Sequence, residues 1–164
     1  MSRGLGDVYK RQVNSALEKL EADGTIADIQ KNYIGTEDEI GKFPYESKDV
    51  SHENGTLTVG TNAEFPPYES YEDGHIVGID MDIMRAVSDE LGMELKIEDM
   101  AFDSIIPAIS TGKVDIGAAG FTVTEERKKN VNFTDTYTTS KQVIIVKDDT
   151  VTSEKAGLSE KFYD

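Results

Sequence analysis

The stretch GIDMDIMRAVSDELGMELKIED, residues 78–99, decides the fold. Within it Ile83, Met84, Val87 and Leu91 recur at helical spacing behind Asp80, a residue suited to capping a helix start, and Gly92 ends the run. Leu95 and Ile97 then alternate with charged residues, the period of a strand. Upstream, TLTVGT (Thr56–Thr61) is a β-rich run, and Asn62 to Gly78 reads as a loop holding Pro66, Pro67 and an Asp73-Gly74 turn. Downstream, Asp103 can cap a helix carrying Ile105, Ile106 and Ile109 that stops near Gly112. Val114, Ile116 and Ala118 alternate as a third strand. Thr124 is a candidate cap for a helix over Glu125–Lys129, and Gln142–Lys147 (QVIIVK) reads as a further β-branched run. Strands separated by helices of this size imply parallel βαβ units with right-handed crossovers. The expected fold class is therefore α/β, an open parallel sheet of strand order 2-1-3 flanked by helices. That order leaves a crevice at the carboxyl ends of the first and third strands, where open α/β sheets take their ligands.

Ahead of this unit, Val13, Ala16, Leu17 and Leu20 fall at helical spacing up to Gly24. Asp23 or Thr25 can start a second helix carrying Ile26, Ile29 and Tyr33, closed by Gly35. Residues 1–12 have no usable periodicity and are expected to be a leader outside the fold. Residues 36–55, rich in Glu and Asp, have the length and composition of an interdomain linker.

Composition removes several function classes. The 164 residues contain 32 acidic and 17 basic side chains, for a net charge of −15, and no cysteine. Without Cys there is no disulfide scaffold, thiolate zinc site, thiol nucleophile or iron–sulfur cluster. The acidity speaks against a nucleic-acid partner, which calls for a basic patch. No run of about 18 apolar residues is present, so no segment is expected to span a bilayer. No cofactor or metal is expected either. GAAGFT lacks the lysine and spacing of a phosphate loop, Asp80 and Asp82 read more simply as helix-start residues, and His52 and His75 stand alone. No nucleophile–base pair emerges.

Two loops flank the expected crevice. GFTVTEER, Gly120 to Arg127, offers close backbone approach at Gly120, a hydroxyl and amide at Thr122, and a planar guanidinium fork at Arg127. Helix amides following the loop would add to an anion site. The same residues also suit an ordinary Thr-capped helix with Arg127 in solvent beside Glu125 and Glu126. TNAEFPPYE, Thr61 to Glu69, offers Asn62 as a polar contact and Phe65 and Tyr68 as an aromatic wall. Core packing is the alternative for these rings, as it is for Phe102.

LTVGTNAEFPPYE, GIDMDIMRAVSDELG and FDSIIPAISTGKVDIGAAGFTVTEERKKNVNFTDTY, in this order, closely resemble the polar amino-acid-binding proteins of ABC importers, the type II two-lobed Venus-flytrap receptors. The resemblance runs from about Leu57 to Lys147. It implies that 56–141 is lobe one of a solute-binding domain and that 142–164 begins lobe two, with a first hinge near Tyr137–Gln142. It further implies that Arg127 and the Thr122 amide grip an α-carboxylate, while the Gly120 carbonyl and Thr122 hydroxyl receive the α-ammonium. Phe65 and Phe102 would sandwich the side chain, and Asn62 would read its polar end. Many relatives carry Asp at the position of Asn62, so the neutral amide weakens the case for a cationic ligand.

Residues 13–35 resemble the C-terminal helices of the same family, yet here they precede lobe one. A tandem arrangement, with the end of one copy followed by the front of the next, is favoured over a permuted single domain. In the family those helices pack on lobe one, so Leu17, Leu20 and Ile29 are expected to be buried against the strands from Thr56 onward. The implied function is extracytoplasmic binding of an amino acid, periplasmic or tethered to the outer face of the cytoplasmic membrane, for delivery to an ABC permease; it is not enzymatic. The alternatives are a ligand-sensing domain of a receptor kinase and a cyclohexadienyl dehydratase-like enzyme. Because lobe two supplies the remaining contacts, residues 1–164 alone are expected to bind an amino acid poorly or not at all.

Overall fold

The computed structural model describes residues 3–139. The strand expected at Gln142–Lys147 and the start of lobe two at 142–164 lie outside the described residues. Strands β1 (Thr56–Thr61), β5 (Glu94–Asp99) and β6 (Ile116–Gly117) form a parallel sheet in the order β5-β1-β6. In chain order this is 2-1-3, as the strand–helix rhythm predicts. Val59 is the register centre, opposite Ile97 on one side and Ile116 on the other. Helices α3 (Ile79–Leu91) and α4 (Phe102–Thr111) make the two crossovers. The first crossover runs from β1 to β5 and the second from β5 back past β1 to β6, in the opposite direction, so right-handedness places α3 and α4 on opposite faces of the sheet. α4 approaches closely because β6 ends in glycine: a Cβ on Gly117 would lie 2.7 Å from Ile105 and 3.1 Å from Ile109.

α3 is buried almost all round, from Ile79 to Met84 and from Ala86 to Asp89. A helix covered only by a sheet would keep one polar face, so a second layer must lie on its outer side. That layer is α1 (Arg3–Ala22) and α2 (Thr25–Ile34), which both pack on α3. Leu17, Leu20 and Ile29 are buried there, in one apolar cluster with Leu57, Val59, Met81, Ile83 and Val87. The docking expected of residues 13–34 is thus observed, through α3 rather than through the strands directly. The Tyr33 hydroxyl donates to Asp82 at 2.8 Å, and Asp82 also pairs with Arg85, which locks α2 to α3.

Several local expectations are corrected. α1 begins at Arg3, so the boundary expected at residue 12 falls inside a helix. A helix already docked from Val13 onward extends at little cost, because nucleation is the expensive step. Residues 36–55 lie along α3 instead of hanging free. The Tyr45 hydroxyl and Lys48 N–H donate to Asp89 at 2.7 and 2.8 Å, and the Asn54 amide donates to the Leu91 carbonyl. Replacing Tyr45 by Phe should cost about 1 kcal/mol, read as a lowered urea midpoint with unchanged slope. Asn62 to Gly78 is not simply a loop: β2 (Glu64–Phe65), β3 (Glu69–Glu72) and β4 (His75–Val77) form a small antiparallel sheet around the Asp73-Gly74 turn. Asp80 and Asp103 do not cap their helices, which start behind Gly78 and Ala101, and each lies in the first turn. Glu125–Lys129 is not an α-helix; a single 3-10 turn spans Arg127–Lys129.

Candidate functional site

The two loops predicted to flank the crevice emerge where β1 and β6 end, and the structure brings several of their residues together. Gly120 has a φ of +56° and lies against Phe65, whose ring atoms would be 2.9 Å from a Cβ at that position. Any side chain there would displace the ring and strain the backbone. Phe65 stacks on Tyr68 at 5.4 Å between centroids and is half exposed. Phe102, the first residue of α4, stacks on Phe121 at 4.7 Å. The Arg127 guanidinium lies over both of these rings, 5.3 Å from Phe102 and 5.4 Å from Phe121.

Arg127 is thus held on three sides. Its Nη1 donates to the Thr122 carbonyl at 2.8 Å, its backbone N–H donates to Thr124 Oγ1 at 3.2 Å, and the two rings support its plane. Thr124 accepts that backbone bond without capping a helix: the 3-10 turn starts behind Glu126 with no side-chain cap, and it is too short to aim a helix dipole at an anion. A guanidinium anchored in this way can present its remaining N–H groups to a carboxylate. Thr122 is exposed and Asn62 half-buried, and neither side chain has a protein partner among the described residues. Phe65 and Phe102 therefore reach the site as members of two separate ring pairs. A cavity of about 440 Å³ lined by Lys10, Val123, Lys128 and the chain around Phe133 lies away from these groups and includes none of them.

Behind Gly120 stands a buried acid pair that the sequence did not single out. Asp80 Oδ2 accepts the Gly120 N–H at 2.7 Å, and both Asp80 and Glu69 are essentially inaccessible to solvent. Burial, followed by the neighbouring Asp80, pushes the Glu69 carboxyl up to about 9. Burial also raises Asp80, opposed by its bonds with Gly120, Tyr137 and Glu69. Glu69 Oε2 and Asp80 Oδ1 have no partner if both acids are ionised, and a proton on Glu69 joins the pair. Their positions in separate elements explain why no local motif reveals them. Among the described residues there is no group of acids or histidines arranged to hold a metal ion.

A parallel α/β sheet with an arginine-bearing loop and aromatic groups at its carboxyl edge is an arrangement at which open α/β folds take ligands. The chain belongs to the bacterial extracellular solute-binding proteins, family 3, whose family model matches residues 57–161. This bears out the resemblance drawn from its motifs. The arginine-binding protein ArgT of Corynebacterium glutamicum is 43% identical over 84 residues, covering 51% of this chain and 28% of that protein. The arginine-binding extracellular protein ArtP of Bacillus subtilis is 40% identical over 93 residues, covering 57% and 36% respectively. A solved structure, the arginine-bound form of domain 1 from TmArgBP, is 50% identical with a TM-score of 0.45, covering 46% of this chain and 60% of that one. The chain spans about a third of the length of the curated relatives it matches. No helix among the described residues is long and apolar enough to cross a membrane.

Proposed function

We propose that residues 56–141 are lobe one of an extracytoplasmic amino-acid receptor that delivers its ligand to an ABC permease. The observation that carries this reading is Arg127 held against the Phe102–Phe121 ring pair, beside the exposed Thr122 at the carboxyl edge of the sheet. In this reading Arg127 and the Thr122 amide take the α-carboxylate. The Gly120 carbonyl and Thr122 hydroxyl take the α-ammonium, Phe65 and Phe102 flank the side chain, and Asn62 meets its end. Gly120 supports its part because its amide is committed to Asp80, which leaves its carbonyl as the group offered to a ligand. Arginine is the first ligand to test, since the matched relatives bear that name; the neutral Asn62 weighs toward an uncharged polar side chain. The periplasmic or tethered location follows from the same reading, as does the origin of 13–35 in a preceding copy of the domain.

Saturation-transfer NMR on residues 1–164 with each of the common amino acids tests the proposal. One lobe offers only part of the contacts of a closed receptor, so binding should be weaker than that of a two-lobed protein. At least one L-amino acid should give a signal, and Arg127→Ala should weaken it about ten- to a hundredfold, the worth of one charge-assisted contact. Binding that is indifferent to Arg127→Ala would sink the assignment.

A further inference from the structure

The Glu69–Asp80 pair has no part in the ligand contacts just assigned, yet it touches the loop that makes them. Asp80 Oδ2 holds the Gly120 N–H at 2.7 Å, and Glu69 Oε1 lies 3.9 Å from where a Cβ on Gly120 would stand. Gly120 is thus pinned from behind by Asp80 and enclosed between Glu69 and Phe65. The Tyr137 hydroxyl acts on Asp80 as a further donor, and the Tyr137 carbonyl accepts from the Gln30 amide of α2 at 2.9 Å. The acid pair therefore joins β3, α3, the ligand loop and the chain that leaves the lobe.

We propose that Asp80 is the positioning residue of the ligand loop, and that a proton carried by Glu69 keeps Asp80 aligned on the Gly120 amide. Loss of that proton sets two carboxylates side by side in a buried space, and the loop shifts as they separate. The other titratable groups facing the pair are Tyr137 from the chain beyond β6 and, through Tyr137, Tyr68 from the turn before β3. Among the described residues no cation acts on either acid, and only the Gly120 and Tyr137 donors to Asp80 oppose the second negative charge. The inference rests on the proposed function only for its consequence in binding; the coupling of Glu69 to Gly120 is a property of the unliganded lobe.

The test separates the two. In the ligand-free protein, the Gly120 amide resonance should titrate with a midpoint near 9 in the wild type and lose that step in Glu69→Gln, whose amide donates to Asp80 at every pH. An identical titration in both chains overturns the proposal, as does no titration in either. L-arginine affinity, compared between the two chains, should fall at least threefold further in the wild type by about pH 10, because the ligand's own ammonium titrates equally against both. Asp80→Asn should shift the Gly120 amide and weaken arginine binding about tenfold while circular dichroism shows the fold retained. Arginine bound equally well by Asp80→Asn overturns the positioning role. If the amide titrates as expected and amino-acid binding is indifferent to Arg127→Ala, the positioning of Gly120 stands and the proposed function falls.

Discussion

Truncating Leu20 to Ala should destabilise the whole described unit by about 3 kcal/mol, the usual cost of a large-to-small change in a well-packed core. Leu20 is completely buried and shares one cluster with Leu17, Ile29, Met81, Ile83 and Val87, so its loss leaves a cavity against α3 as well as within the α1–α2 pair. Because α3 is also packed on the sheet, the helices and the sheet should melt together. Urea unfolding followed by far-UV circular dichroism and by tyrosine fluorescence should give coincident transitions, both moved to lower denaturant by Leu20→Ala. A substitution that shifted the helical signal and left the sheet's transition in place would show that α1 and α2 are an independent appendage. The result bears on the candidate site, since α2 holds the Tyr137 carbonyl and so reaches the segment behind the Gly120 loop.

Legibility from sequence followed the range of the interactions concerned. The three parallel strands and α3 were readable because Val59, Ile97 and Ile116 sit in short β-rich runs beside a helix with a clear apolar period. The same pattern understated α3's burial, since nothing local to residues 78–91 announces a second layer of helices. β2, β3 and β4 were missed because strands this short beside Pro66 and Pro67 carry too little alternation to outweigh the turn signals. The expected helix at Glu125–Lys129 failed for the opposite reason: Glu125 to Asn130 contains no apolar residue to bury, so only one turn forms.

At the site, the loop residues were legible by type and place, and their mutual arrangement was not. Arg127 was expected to face a ligand, and the structure adds the two rings beneath it and the carbonyl that holds it. Phe121 went unnoticed because a lone aromatic after glycine gives no sign of its stacking partner. From sequence Asp80 reads as a cap, as helix-start acids usually do, whereas its actual partner, the Gly120 amide, is forty residues away. A polar residue at the helix start with apolar neighbours on both sides, Ile79 and Met81, was the one hint that it points inward.

Glu69→Gln should raise stability, and the gain should grow with pH. The folded chain holds the Glu69 proton up to about 9, whereas the unfolded chain releases it near the ordinary value of 4.5. Between these limits the folded state binds the extra proton, so the wild type loses stability as pH rises, at about 1.4 kcal/mol per unit, and the loss levels off above the folded value. Glutamine presents the same donor to Asp80 with no proton to lose. At neutral pH the substitution should therefore stabilise by roughly 3–3.5 kcal/mol, and near the unfolded value the two chains should be close to equal. Urea midpoints measured across this range give the comparison directly. A constant offset between the two chains would mean that Glu69 is ionised in the folded state, and the protonated bridge to Asp80 would have to be abandoned. A gap that widens with pH instead locates the stored cost in the wall behind Gly120. The lobe would then hold a destabilising acid at the back of its ligand loop, where natural proteins most often accept such a cost for function.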